Sequence, residues 1–211
     1  MKTFLNFFVI FVFLAGTISP QGFKVKAKGE QTFSFDDKYG RNQASFYSST
    51  PVEDITGLTN DVGGNASFNV NDITTLKGTI SLPTASLKTG IEMRDGHLQG
   101  PDWLDAEKYP EILFVVKSVS DVKSIADNKL EAKVTGDFTV HGVTKEVVAD
   151  VNMTYLDESE QTKKRAPGDL LGVEAKFNIT LSDYEVDNML MGQKVSDDIK
   201  IAVTIVGSNA K

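Results

Sequence analysis

Polar and apolar residues alternate one by one along much of the second half of the chain. Val173, Ala175, Phe177, Ile179 and Leu181 fall on one side; Glu174, Lys176, Asn178 and Thr180 fall on the other. A period of two marks a half-buried antiparallel strand. Three more segments repeat it: Ala132 to Val140, Val147 to Met153 and Ile199 to Ile205. Weaker patterns predict strands over about 23–35, 43–49, 62–71, 76–87 and 112–122. Turn chemistry separates them at Asp37-Lys38-Tyr39-Gly40, Val62-Gly63-Gly64-Asn65, Asp127-Asn128 and His141-Gly142, all rich in residues that accept a positive φ or make Asx turns. The polar stretch from Asp157 to Asp169 reads as a mobile hairpin loop. A short helix is expected over 101–109, with Pro101 in its first turn and Pro110 as its stop. The reading is all-β, about eight strands with one short helix. Periodicity leaves a sandwich and a closed barrel equally open.

The first residues follow another pattern. Lys2 precedes an almost unbroken apolar run from Phe4 to Ala15, and Gly16 to Gly22 is small and polar. This is the layout of a secretory signal, and the run is short for a membrane-spanning helix. Residues 1–22 are therefore expected to be a signal peptide, and 23–211 one domain. A periplasmic location is expected, with secretion as the alternative.

Composition narrows the chemistry. Among 211 residues there are no cysteines and two histidines, and the net charge is -7. Disulfides, thiolate metal sites and cysteine nucleophiles are excluded. An acidic surface argues against nucleic acid. No phosphate-binding loop, nucleophile elbow or zinc-protease motif occurs. No cofactor, metal site or catalytic residue is expected. His97 and His141 could form acid–base pairs, but beside Gly96 and Gly142 they read as turn histidines bonded to backbone. The acidic pairs Asp36-Asp37, Asp157-Glu158 and Asp197-Asp198 lack calcium-loop spacing and read as solvated turns. Lys163-Lys164-Arg165 reads as a solvated loop rather than a lipid-headgroup site. Trp103 either caps an apolar cavity or seals the core.

Two stretches carry more than periodicity. One is Met93-Arg94-Asp95-Gly96-His97-Leu98, followed by Asp102-Trp103-Leu104-Asp105 and by Glu107-Lys108-Tyr109-Pro110-Glu111-Ile112. The other runs from Val134 to Lys145 and holds Gly136-Asp137-Phe138-Thr139-Val140-His141-Gly142-Val143-Thr144. In this order they resemble the YceI-like family of periplasmic polyisoprenoid-binding proteins, from about Asn42 to Val206. The resemblance implies a lipocalin-like antiparallel β-barrel that holds an isoprenoid lipid or quinone tail in an apolar lumen, without catalysis. The chain departs from the family at 40–49, which lacks a histidine-bearing strand. It departs again at Asp183-Tyr184-Glu185-Val186, where Asp-Phe-Gly is usual.

In a barrel the uncharged face of each strand must point inward. The lumen set is therefore Phe138, Val140, Val151, Met153, Phe177, Ile179, Ile201 and Val203, joined by Phe46, Phe68, Ile80, Leu82, Phe114 and Trp103. Such a container would serve transport, storage or envelope stress. Transient membrane contact and a homodimer are left open. Two other functions compete: a hydrolase or isomerase on an apolar substrate using His97 or His141, and an interaction domain with a filled core.

Overall fold

A computed structural model describes residues 21–210. The predicted signal segment, apart from Gln21 and Gly22, lies outside the described residues. Ten strands form one antiparallel sheet: β1 (Glu30–Ser34), β2 (Gln43–Ser49), β3 (Asp54–Thr59), β4 (Gly63–Asn69), β5 (Asp72–Pro83), β6 (Glu111–Ala126), β7 (Lys129–Val140), β8 (Val143–Leu156), β9 (Leu170–Thr180) and β10 (Asp198–Ser208). Eight of them follow one another around a ring in the order β1, β4, β5, β6, β7, β8, β9, β10. The ring closes where Ser34 of β1 meets Ser208 of β10. Closure leaves no free edge on those strands where they are paired. The β2–β3 hairpin is added outside the count: Gln43–Ser48 pairs with Ile199–Thr204 of β10, above the point of closure.

Strands β7 to β10 contain the alternating segments, with β9 ending one residue short of Leu181 and the strands otherwise extending beyond them by up to four residues. The β7–β8 connection is a two-residue turn at His141 (φ 52°) and Gly142 (φ 75°). Two successive positive φ values match the twist of a tight hairpin, and glycine takes the second at no steric cost. A Cβ on Gly142 would also strike the Tyr109 ring.

Two expectations are corrected. The helix, α1, spans Glu92–Gln99, and 101–108 are turns. Pro101 does not open a helix because the chain has just left one. The N–H groups of Leu104 and Ala106 fold back onto the Leu98 and Gln99 carbonyls (3.1 and 2.9 Å). Those contacts satisfy the last turn's orphan acceptors. Strand β3 was missed because its inward positions are Ile55, Gly57 and Thr59, so only one is large and apolar. Gly57 is needed there: a Cβ would collide with the Phe46 ring on β2. The polar loop 157–169 is fastened at its base. The Asp169 carboxylate accepts from Tyr155 Oη and the Glu158 N–H (2.7 Å each), and Gly168 N–H donates to Glu158 Oε2 (2.7 Å).

The lower end of the barrel is solid. Phe23 N–H bonds to the Val70 carbonyl, and Ile73 N–H to the Gln21 carbonyl. This places Phe23 among Phe33, Phe68 and Tyr155, at ring-centroid separations of 5.6 to 5.9 Å. All four rings are essentially fully buried. Thus 23–28, expected as the start of the strand over 23–35, serves with Gln21 and Gly22 as a plug, and the strand begins at Glu30.

Beside the plug, Asp37 is no solvated turn acid. Its carboxylate accepts from the Arg41 side chain (2.8 Å) and from Arg165 (3.2 Å), and its side chain is only 7% exposed. Those hydrogen bonds, the Arg41 side chain first, hold its carboxyl well below the usual carboxylate range. Arg165 also donates to Asn42 Oδ1, and Asn42 holds the Phe35 carbonyl and the Val206 N–H. Of the basic run, only Arg165 is drawn into this cluster; Lys163 and Lys164 stay exposed, as a solvated loop requires, with Lys163 in surface ion pairs to Glu158 and Glu160.

Candidate functional site

Above the plug the barrel is hollow. A cavity of about 170 Å³, counted as room for the centre of a water-sized sphere, runs between β2 and β4–β10. One water needs only about 10–15 Å³ on that measure. No charged side chain lines it. The alternation explains the lining: paired positions across neighbouring strands share a face. Phe177, Ile201 and Phe46 are register partners across β9, β10 and β2, as are Ala175, Val203 and Ala44. On β5 and β6, Ile80 faces Phe114 and Leu82 faces Ile112. On β7, Gly136 makes room for the Phe114 ring, which a Cβ would strike.

Ten of the fourteen predicted lumen residues stand in the cavity wall: Phe46, Ile80, Leu82, Phe114, Phe138, Val151, Met153, Phe177, Ile201 and Val203. Four stand elsewhere. Phe68 belongs to the plug. Val140 and Ile179 are buried core residues outside the wall. Trp103 is half-buried and packs against the core without lining the cavity. The cavity also takes in Val134, Val173 and Ile205, on the inward side of strands already read correctly, and Phe35, Leu76 and Leu87. Alternation carried a signal for the first three. Leu87 follows β5 in a 3-10 turn, where no periodicity points inward.

Many wall residues keep solvent-accessible surface, Phe46, Ile80, Phe114, Ile201 and Val203 among them. The plug residues keep almost none. The wall therefore has unfilled space beside it, whereas a filled core would leave these side chains close-packed.

The upper end is built from the two motif stretches. Asp95 of α1 accepts from Thr89 Oγ1 (2.6 Å), and Arg94 donates to that same oxygen (3.0 Å) and to Glu53 Oε1 (2.8 Å). The Thr89 hydrogen bonds hold the Asp95 carboxyl below its ordinary value. The motif thus pins α1 to the β2–β3 hairpin. His141 Nδ1 lies 3.0 Å from the Tyr184 carbonyl, so that nitrogen carries the proton and donates it. Its ring meets Tyr109 edge-on at 4.8 Å. His97 is exposed on α1. Neither histidine lines the cavity; His141 is the backbone-bonded turn histidine expected, whereas His97 lies on a helix with its side chain exposed. Among the described residues no group of three His, Asp or Glu side chains could hold a metal ion.

Residues 23–207 match the family model of the YceI-like domain. The chain belongs to the YceI-like family. A curated relative named UPF0312 protein, from Pseudomonas fluorescens, is 32% identical over 200 residues, covering 95% of this chain and 93% of its own length. Protein YceI of Escherichia coli O157:H7 is 28% identical, with 97% and 95% covered. Among solved structures, Burkholderia cenocepacia BcnA aligns with a TM-score of 0.64 at 20% identity, over 81% of this chain and 99% of its own. A polyisoprenoid binding domain from Saccharophagus degradans, implicated in plant cell wall breakdown, aligns with a TM-score of 0.61 at 13% identity, over 87% and 100%. At these identities the two structures establish the fold: the YceI-like barrel expected from the sequence is the fold observed.

Proposed function

We propose that this YceI-like protein is an exported binding protein that holds the apolar tail of an isoprenoid lipid or quinone inside its barrel. The observation that carries the reading is the cavity itself: hollow, apolar and without a charged side chain along its wall. A polyprenyl tail is nearly insoluble in water. Each Å² of apolar surface moved into such a space returns about 25 cal/mol. A few hundred Å² offsets the cost of association and supports useful affinity. The name of the Saccharophagus degradans neighbour, a polyisoprenoid binding domain, supports the choice of ligand. The wall offers no acid–base pair, so binding is favoured over the hydrolase or isomerase reading. The apolar start of the chain supports export to the periplasm, where such a container would move or store lipid, or buffer it under envelope stress.

The test is organic extraction of protein purified from its native host, followed by mass spectrometry, on the parent and on Val203→Trp. The parent is expected to yield a prenyl lipid. The variant is expected to melt within a few degrees of the parent and yield none, since an indole fits into empty space at little overpacking cost. A parent that yields no lipid, with a variant that unfolds, would sink the reading.

A further inference from the structure

Beside the upper wall of the cavity lies a polar group without a partner. Among the buried side-chain polar atoms of the described residues, only the Tyr184 hydroxyl makes no hydrogen bond. Tyr184 is 2% exposed. It sits in the 3-10 turn Leu181–Tyr184 that follows β9. Its carbonyl is held by His141, which fixes the backbone. Its ring meets Phe138 edge-on, with centroids 5.8 Å apart, and Phe138 is a wall residue of the cavity. From there the aromatic contacts continue inward, from Phe138 to Phe177 at 5.2 Å and from Phe177 to Phe114 at 5.9 Å.

A phenylalanine would fill this site with the same ring and no desolvation cost. The hydroxyl adds a donor that the protein leaves unspent, and buried donors are costly to leave unpaired. Burial pushes its pKa up to about 12, so it is a neutral donor and not a phenolate. With no charge along the cavity wall, a matching acceptor should be neutral too, because an ionised headgroup would be stranded in apolar surroundings.

We infer that the Tyr184 hydroxyl is a headgroup contact: it donates a hydrogen bond to a neutral oxygen acceptor, such as a carbonyl, at the end of the bound prenyl chain. The inference rests on the container reading above. Phe138 lines the cavity and packs against Tyr184, which is not itself in the wall, so the contact requires the Phe138 ring to turn aside when the ligand binds.

Two probes of matched apolar character separate this contact from general packing: a prenylated benzoquinone, which carries carbonyl acceptors, and squalene, which carries none. Binding of each is measured to the parent and to Tyr184→Phe, and the carbonyl stretch of the bound quinone is followed by infrared difference spectroscopy. The variant is expected to bind the quinone about five- to tenfold more weakly and squalene unchanged. The hydrogen-bonded carbonyl band seen with the parent should disappear. An equal effect on both probes, no effect on the quinone, or an unshifted carbonyl with the parent would overturn the contact and leave the container reading standing. If the parent binds neither probe, both fall together.

Discussion

The two ends of this barrel are made of the same residue types and behave as opposites. Below, Phe23, Phe33, Phe68 and Tyr155 interlock with almost no accessible surface. Above, Phe46, Phe114 and Phe177 line open space. The difference does not lie in hydrophobicity. It lies in what fills the ring: at the lower end the segment 21–28 packs among the rings, whereas at the upper end Leu104, Tyr184 and Val186, also from outside the strands, are buried without filling the cavity. A barrel of eight strands is just wide enough for side chains to fill or for one ligand to occupy, and this chain does one at each end.

The contrast can be broken most forcefully at the plug. Phe33→Ala is expected to cost about 3–5 kcal/mol, because neighbours locked on all sides cannot collapse into the gap. Phe114→Ala removes the same atoms from a wall that already borders empty space, and about 1–2 kcal/mol is expected. Urea unfolding of both variants compares them directly, and equal losses would show that the two ends are packed alike.

A smaller effect is expected at the polar latch beside the plug. The Asp37 carboxyl is held below its unfolded value near 3.9, so its contribution is complete above that pH and fades as pH falls toward the folded value. Asp37→Asn should cost about 1–2 kcal/mol at neutral pH, limited because water still reaches the two arginines. Its melting temperature should fall less steeply than the parent's below pH 4. Parallel acid limbs would mean that the Asp37 carboxylate does not help hold the segment after β1 to Arg165.

The smallest effect belongs to the upper end. Glu185 closes the Leu181–Tyr184 turn at φ 57°, ψ 23°, a left-handed conformation that side chains resist. Glu185→Gly should therefore stabilise the protein by about 0.5–1 kcal/mol, after the greater chain entropy of glycine is subtracted. Thermal melts check it, and a loss of stability would show that the glutamate side chain does more than the backbone strain costs.

The sequence was most legible where one rule governed each residue. Along β7 to β10 every second position is apolar, and those positions supply Val151, Met153, Phe177, Ile201 and Val203 to the cavity wall. It was least legible where the structure replaces a large side chain with room for another. Gly57 faces inward but leaves space for Phe46, so β3 carries no hydrophobic pattern. The plug was hidden for a different reason: Phe23 reads as the first residue of a strand over 23–35, until the Val70 carbonyl shows where it docks. The Asp37 latch joins positions 128 residues apart, beyond the reach of any local pattern. Tyr184 could be read as a departure from the family's Asp-Phe-Gly, but only burial exposes its unspent hydroxyl.

The meeting of Ser34 with Ser208 also sets the order in which the molecule can assemble. Strands β6, β7, β8 and β9 are successive neighbours in both chain and sheet, the first three joined by two-residue turns. The seam between β1 and β10 instead joins the two extremes of the described chain, and such distant pairings slow folding because their loop entropy is lost before any contact forms. An enclosed lumen exists only after that last seam zips. Until then the future cavity wall is one face of an open, curved sheet, and a long hydrocarbon tail could be laid along it sideways instead of being threaded through a mouth.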